Sequence, residues 1–332
     1  VTFVYAGLFG TGSFIYGKTT QASVWVVVFV VSGLVLFRVV QRAWSVDPEL
    51  VGSETSALAG AMPCTKAVIL ARGLGTRMRE GDDSVALAPD QRAAAAAGDK
   101  AMIPVGRPFL DYVLNGLADA GFTEICIVVA PEHSAIRDHY SHERSPLRFK
   151  ISYVVQAEPI GTADAVLAAE EFSAGEPFVV LNADNYYPAD VLRRLRNAPG
   201  TAGVAFSRQG LIRNGDIPVE RVAAYAFLDI NDDGTLRRIV EKPDATVAAT
   251  YGADAVVSMN CWRLTSDIFR ACREVPASSR GEFELPVAIQ YAIDILGTRI
   301  TMVPADASVL DLSRQGDVPR VAARLSSVEV RL

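Results

Sequence analysis

The chain has 332 residues, of which 50% are hydrophobic and 21% charged, with a formal net charge of −6. That length allows one large domain or two ordinary ones. The acidic balance excludes a dedicated nucleic-acid binder, which carries a basic face, but it leaves room for a local basic pocket around a phosphate-bearing small ligand.

Residues 1–44 differ from the rest. Ala22 to Phe37, "ASVWVVVFVVSGLVLF", is an uncharged run of 16 residues, followed by Arg38, Arg42 and Trp44. A spanning helix takes about 17–25 residues, so the run reaches that length only by extending past Arg38, whose side chain stretches toward the interface. The arginines and Trp44 suit a cytoplasmic membrane boundary. The earlier "VTFVYAGLFGTGSFIY", broken by Gly7, Gly10 and Gly12, reads as a second, weaker membrane segment. A signal peptide fits less well, because a basic start and a small-residue cleavage site are missing. A core helix or strand pair is the other alternative. The expected organisation is a hydrophobic helical appendage over 1–44, anchored at the inner face of a membrane, a polar linker over 45–64, and a cytoplasmic domain over 65–332.

From Lys66 onward, apolar runs alternate with helical patterns. "KAVIL" predicts a buried strand, and "QRAAAAAGDK" a short helix within an extended loop. "FLDYVLNGLADAG" has helical spacing and ends in Gly121, a C-cap. "EICIVVA" is a strand, and "PEHSAIRDHY" a helix opening at Pro131. "ISYVVQ" is a strand, "GTADAVLAAEEF" a helix, and "PFVVLNAD" another buried strand. This alternation predicts an α/β fold with a mainly parallel sheet covered on both faces, whose ligands bind outside the carboxyl ends of the strands. Later, "AYAFLDINDDGTLRRIVEKP" predicts two strands joined by an Asp-Gly turn. "DAVVSMNCWRL" is one more strand and "TSDIFRACREV" a helix. "GEFELPVAIQYAIDIL" is a helix with Glu282 and Glu284 near its start. "ITMVPA" and "VLDL" are short strands, and "DVPRVAARLSSV" is a final helix.

Cys64, Cys126, Cys261 and Cys272 form no CxxC pair. Their spacing fits buried thiols in a reducing compartment rather than a disulfide framework or zinc site. His133, His139 and His142 lack supporting carboxylate or thiolate spacing, so a solvated helix and its end is preferred over a metal site.

Three strand ends carry unusual residues: "GLGTR" after the first, "QAEPIGTADA" after the third and "NADN" at the fourth. Gly73 and Gly75 allow a tight turn that approaches a ligand closely, and backbone N–H groups in such turns form anion-binding nests. Thr76 adds a hydroxyl donor and Arg77 a forked cation. Alone, this turn is equally an ordinary strand-to-helix connection. It is neither a dinucleotide fingerprint nor a Walker loop. The pattern G-x-G-T-R-M, then a lysine before "IPV", resembles the sugar-1-phosphate nucleotidyltransferases over about Lys66 to Leu325. That resemblance implies a Rossmann-like, doubly wound, mixed and mostly parallel sheet, the nucleotide-diphospho-sugar transferase fold.

The resemblance also implies roles. Gly73, Gly75, Thr76 and Arg77 would hold the triphosphate, and Lys100 would neutralise charge at the attacked α-phosphate. Gln156 and Gly161 would face the nucleobase, glutamine offering both donor and acceptor. Asp184 in "VVLNADNYYP" and Asp311 in "VLDLSRQGDV" would bind Mg²⁺, which takes one or two carboxylates plus phosphates and water. In "IVEKPD", Glu241 would accept hydrogen bonds from sugar hydroxyls and Lys242 would bind the sugar phosphate, and Asn260 would face the sugar. Glu282 matches an acidic helix start near the sugar, or equally serves the helix N-terminus. The implied reaction moves a nucleotidyl group from a nucleoside triphosphate to a sugar 1-phosphate, with a homo-oligomer as one open arrangement. Transfer to choline phosphate or another alcohol phosphate is the alternative, left open by Tyr186 and Tyr187; a catalytically inactive, membrane-tethered binder of nucleotide-sugars is a third. Three departures stand out. Arg72 occupies a position where the family has Gly or Ala, residues 80–99 form an insertion that would act as a lid, and Ala223 or Ala224 replaces a glycine beside the sugar.

Overall fold

The computed structural model describes residue 16, residues 19–44 and residues 63–332, apart from residues 83, 133, 216, 242, 244, 253, 279 and 280; for 22, 33–44, 143, 245 and 249 only the backbone path is described. The chain forms two units, Val1–Gly60 and Ala61–Leu332. In the first, Thr19–Trp44 is a 26-residue helix. Val24, Val26, Val27, Phe29, Val30 and Val31 are exposed on it. Among the described residues, no helix is long and apolar enough to cross a membrane. The spanning helix expected over Ala22 to Phe37 is therefore not found among them.

The second unit is built on one large mixed sheet. Its strands are β1 (Lys66–Leu70), β2 (Glu124–Val129), β3 (Lys150–Val155), β4 (Phe178–Asn182), β6 (Thr201–Ser207), β7 (Phe227–Ile230), β8 (Leu236–Val240), β9 (Val256–Val257), β10 (Trp262–Leu264) and β11 (Ile300–Ala305); β5 (Asn185–Tyr186) and β12 (Leu310–Asp311) pair separately. The order is β3–β2–β1–β4–β10–β6–β9–β7–β8, with β11 on the other side of β6. β1 to β4 pair in parallel, and the connections between them include the helices Phe109–Ala120 and Thr162–Leu167. Residues 66–69 of β1 are all buried, as a parallel strand covered on both faces requires. The remaining pairings are mainly antiparallel, apart from β11 beside β6.

Two apolar cores flank the sheet. One gathers Ile69, Phe109, Leu114 and Leu181; the other gathers Val68, Val180, Trp262 and Phe269. Alternate residues of β1 and β4 thus enter opposite cores, following the period-two side-chain geometry of a strand.

Several elements differ from expectation. The helix predicted from Pro131 begins at Ser134 and passes at His139–Glu143 into a π-helical turn. His139 is not solvated there: its Nε2 lies 3.5 Å from the buried Asp111 carboxylate, which also accepts from Tyr140 at 2.8 Å. "DAVVSMNCWRL" is not one strand but two pieces, β9 and β10, both antiparallel to β6. Asn260 breaks it, with φ at +52°. β6, "TAGVAFS", lacks the branched apolar run that marks the other central strands, and pattern reading passes it over. The four cysteines are free and buried, as expected.

Candidate active site

A cleft of about 380 Å³ opens at the carboxyl ends of β1 and β4. Gly73, Gly75, Thr76, Arg77, Lys100, Asp184, Asn260 and Asp311 all line it. The turn after β1 is fixed from below. Ala71 donates to the Val128 carbonyl, and Gly75 sits at φ +63°, where a Cβ would fall 2.2 Å from the Gly98 carbonyl oxygen. Gly73 differs: nothing lies within 4 Å of where its Cβ would be, so the space beside it is left for a ligand. Residues 80–99 include the helix Pro89–Ala97, held by Arg79 to the Ala97 carbonyl and by Gln91 to the Pro104 carbonyl, each at 2.8 Å.

The two carboxylates reach the cleft by different routes. Asp184 follows β4, and its carbonyl accepts from the Leu312 N–H at 2.9 Å. Asp311 pairs with Asn185 in the small β5–β12 ladder. A chain reversal distant in sequence thus sets Asp311 beside Asp184. Lys100 Nζ pairs with Asp184 Oδ2 at 3.0 Å, both side chains partly open. Asp311 is buried. It accepts from Ser313 Oγ at 2.6 Å, the Tyr225 hydroxyl at 3.0 Å and Arg221 at 3.3 Å. Arg221 also pairs with buried Asp317, which in turn caps the Ser313 and Arg314 N–H groups. Burial, and then the charge of Asp184, push the Asp311 carboxyl above its ordinary value.

A buried carboxylate whose ionisation is made costlier by a second carboxylate beside it marks a place for added positive charge. Among the described residues, no group of three or more His, Cys, Asp or Glu is placed to hold a metal ion by itself. The donor set is therefore two hard oxygen ligands on the wall of the cleft. That chemistry fits a divalent cation that shares its shell with substrate phosphates and water, and does not fit a structural zinc site.

Other expected positions lie elsewhere. Gln156 is buried and lines a neighbouring concavity with Ala157, Glu158 and Asp164. The close approach at Gly161 is made by the protein itself: a Cβ there would fall 2.2 Å from the Phe283 carbonyl oxygen. Backbone packing thus by itself requires glycine there. Glu241 and Glu282 are not among the cleft-lining residues, and Lys242 lies outside the described residues. Glu284, not Glu282, stands at the helix start before Leu285. Tyr186 packs beside Gly116, and buried Tyr187 donates to the Met259 carbonyl, so neither forms an aromatic box in the cleft. Sequence reasoning did not single out Tyr225, Ser258 or Ser313 as cleft residues, nor Arg221 and Asp317 behind it. The only signal for the last pair is acidic and basic residues in apolar helical settings.

A cleft of this kind belongs to enzymes that handle nucleotides. Residues 66–303 match the family described as Nucleotidyl transferase, and the chain belongs to that family. It is 27% identical over 239 residues to the low-salt glycan biosynthesis nucleotidyltransferase Agl11 of Haloferax volcanii, covering 69% of this chain and 59% of that protein. It is 29% identical over 264 residues to the UTP–glucose-1-phosphate uridylyltransferase AglF of the same organism, covering 78% and 96%. A glucose-1-phosphate thymidylyltransferase of Streptomyces griseus is 27% identical over 233 residues, covering 69% and 57%. The chain thus spans under two thirds of the first and third of these relatives and nearly all of the second. A crystal structure of UDP-glucose pyrophosphorylase with UDP-glucose superposes with a TM-score of 0.61 at 18% identity, covering 80% of this chain and all of that one. That likeness is one of fold.

Proposed function

We propose that this chain transfers a nucleotidyl group from a nucleoside triphosphate to a sugar 1-phosphate, releasing pyrophosphate and an NDP-sugar. The observation that carries the reading is the meeting of Asp184, Asp311 and Lys100 with the glycine turn in one cleft. The names of AglF and of the Streptomyces griseus relative support a sugar 1-phosphate as acceptor.

The acceptor oxygen is already anionic, so no general base is needed. It forms a bond to the α-phosphorus as the bond from that phosphorus to the β-phosphate bridging oxygen breaks, and pyrophosphate carries away the electron pair. The barrier comes from bringing two polyanions together, so positioning and charge neutralisation do the catalysis. The turn over Gly73, Gly75 and Thr76 presents backbone and hydroxyl donors to phosphate oxygens. Arg77 and Lys100 supply fixed positive charge. Asp184 and Asp311 would hold Mg²⁺, which supplies charge neutralisation at the phosphates. Ser313, Tyr225 and Arg221 fix the Asp311 carboxylate in orientation. Lys242 would meet the sugar phosphate, and Asn260, which lines the cleft, would meet the sugar; Gln156 would face the base from the neighbouring concavity.

The test is pyrophosphate release with Mg²⁺ across a matrix of triphosphates and sugar 1-phosphates. Release that requires both substrates supports the reading; release with choline phosphate in place of any sugar phosphate contradicts it. The exposed valines of Thr19–Trp44 further support an apolar segment that associates with the inner face of a membrane. The full chain should then float with anionic liposomes, and sedimentation away from them would exclude the association.

A further inference from the structure

Arg72 immediately precedes the glycine turn and is only 7% exposed. One terminal nitrogen donates to the Ala157 carbonyl at 3.4 Å, and its Nε is closed off from solvent with no acceptor. Among the described residues, no carboxylate pairs with it. A guanidinium withdrawn from water on one long hydrogen bond is costly unless something supplies the missing acceptors.

The sheet order indicates what supplies them. Lys100 and Asp184 lie on the β4 side of β1. Arg72 reaches the other way, past the end of β2, to the segment following β3. The carbonyls of Val128 and Val129 in β2 hold Ala71 and Gln156 on either flank of that path. A triphosphate that keeps its phosphates beside Asp184 and extends across the end of β1 would bring its far end, the base, to the Arg72 side. Gln156, adjoining Ala157, turns its amide nitrogen inward, donating at 2.9 Å to the Gly161 carbonyl and at 2.9 Å to Asp164. With both amide hydrogens engaged, it has only its oxygen to offer a ligand. The two side chains together present donors from Arg72 and an acceptor from Gln156.

We infer that Arg72 is a base-selecting residue. It donates to a keto oxygen while the Gln156 oxygen accepts from the neighbouring ring N–H. Uracil, thymine and guanine present that acceptor-then-donor edge. Cytosine and adenine present the reverse, an amino donor beside an acceptor nitrogen. This inference rests on the nucleotidyl-transfer reading and deepens it to a class of triphosphate.

The experiment measures kcat/KM for pyrophosphate release with UTP, dTTP, GTP, CTP and ATP, glucose 1-phosphate being the fixed acceptor, in the native full chain and in Arg72→Ala, Arg72→Lys and Arg72→Gln. The native chain is expected to favour the best keto base over CTP and ATP by on the order of 10- to 100-fold, and Arg72→Ala to bring that ratio to within about 3-fold through KM rather than kcat. Arg72→Gln, which can accept as well as donate, should raise CTP and ATP relative to the native chain. A merely structural role would lower all five triphosphates together. An unchanged base ratio in Arg72→Ala, or a native chain without base preference, would overturn the inference while leaving nucleotidyl transfer intact. If Arg72→Ala does not fold, the Lys and Gln variants carry the same comparison. If no triphosphate releases pyrophosphate, the transfer reading fails. Calorimetric titration of UTP against CTP on the same proteins then decides the role of Arg72, by whether a native preference for UTP is lost in the variants.

Discussion

The two parts of the sheet build the cleft in contrasting ways. The parallel strands β1 to β4 deliver ligand-facing groups on the turns that follow them. Gly73, Thr76 and Asp184 each sit a few residues beyond a buried strand, and little else is needed to aim them. The region after Thr201 delivers Asp311 through a short two-stranded ladder and holds it with a buried ionic network of Arg221, Asp317, Tyr225 and Ser313. The first arrangement leaves its carboxylate partly open, on a single lysine. The second buries its carboxylate and surrounds it with donors. Substitutions in the first region should therefore change rate before stability, and those in the second should change both.

The largest effect expected is on Asp184. Asp184→Asn should lower the rate of pyrophosphate release by on the order of 10²–10³-fold or more while circular dichroism and the melting curve stay native. Near-normal turnover would remove Asp184 from the phosphate chemistry. Arg221→Ala should behave differently. It strips the cation shared by two buried carboxylates and leaves Asp317 on Arg320 at 3.1 Å, so chemical denaturation should show a loss of about 2–3 kcal/mol. A loss below about 1 kcal/mol would mean that the network is not a structural clamp.

The two glycines of the turn sharpen the comparison within one loop. Gly75→Ala forces a side chain into left-handed backbone and against the Gly98 carbonyl, and should cost about 1–3 kcal/mol of stability from strain alone. Gly73→Ala meets no protein atom, so stability should stay within about 0.5 kcal/mol. Its effect should fall instead on KM for the triphosphate, because the new methyl occupies ligand space. Equal loss of stability in both variants would contradict this division.

The smallest effect is in pH dependence. Burial and the Asp184 charge raise the Asp311 pKa, so this carboxyl takes up its proton at a higher pH than an ordinary aspartate, whose value is about 3.9. Mg²⁺ binding to the free enzyme, which needs the ionised form, should then weaken on acidification while ordinary carboxylates are still charged. The sign for folding is opposite to that of a salt-bridged acid. The folded state binds this proton more tightly than the unfolded state, so Asp311 taken alone lowers stability as pH rises from the unfolded to the folded pKa. Mg²⁺ affinity that begins to fall only at an ordinary carboxylate pKa would contradict the shift.

Much of the first region was legible in the sequence because its information is local. A buried strand, a glycine turn and a polar strand end are adjacent in the chain, so Gly73 and Gly75 stand out from the pattern itself, while Lys100 and Asp184 were reached through the family resemblance of their short motifs. The parallel half of the sheet followed from the alternation of apolar runs and helical spacing. The second region depends on contacts between residues far apart. Nothing near Arg221 names Asp317 or Asp311 as its partner, and β6 is built from small residues whose burial follows from neighbours on both sides. The split of β9 from β10 hangs on the left-handed backbone at Asn260, which an apolar pattern does not register. The acidic residues Glu241 and Glu282 were singled out by motif, yet they do not line the cleft that holds Asp184.

The central claim is that an anionic acceptor displaces pyrophosphate directly, with cations and placement lowering the barrier. It is tested most directly by the stereochemical course at the α-phosphorus, using a triphosphate made chiral there by sulfur substitution. Direct attack predicts inversion of configuration in the NDP-sugar. Retention would require a nucleotidylated side chain on the pathway and would contradict the account.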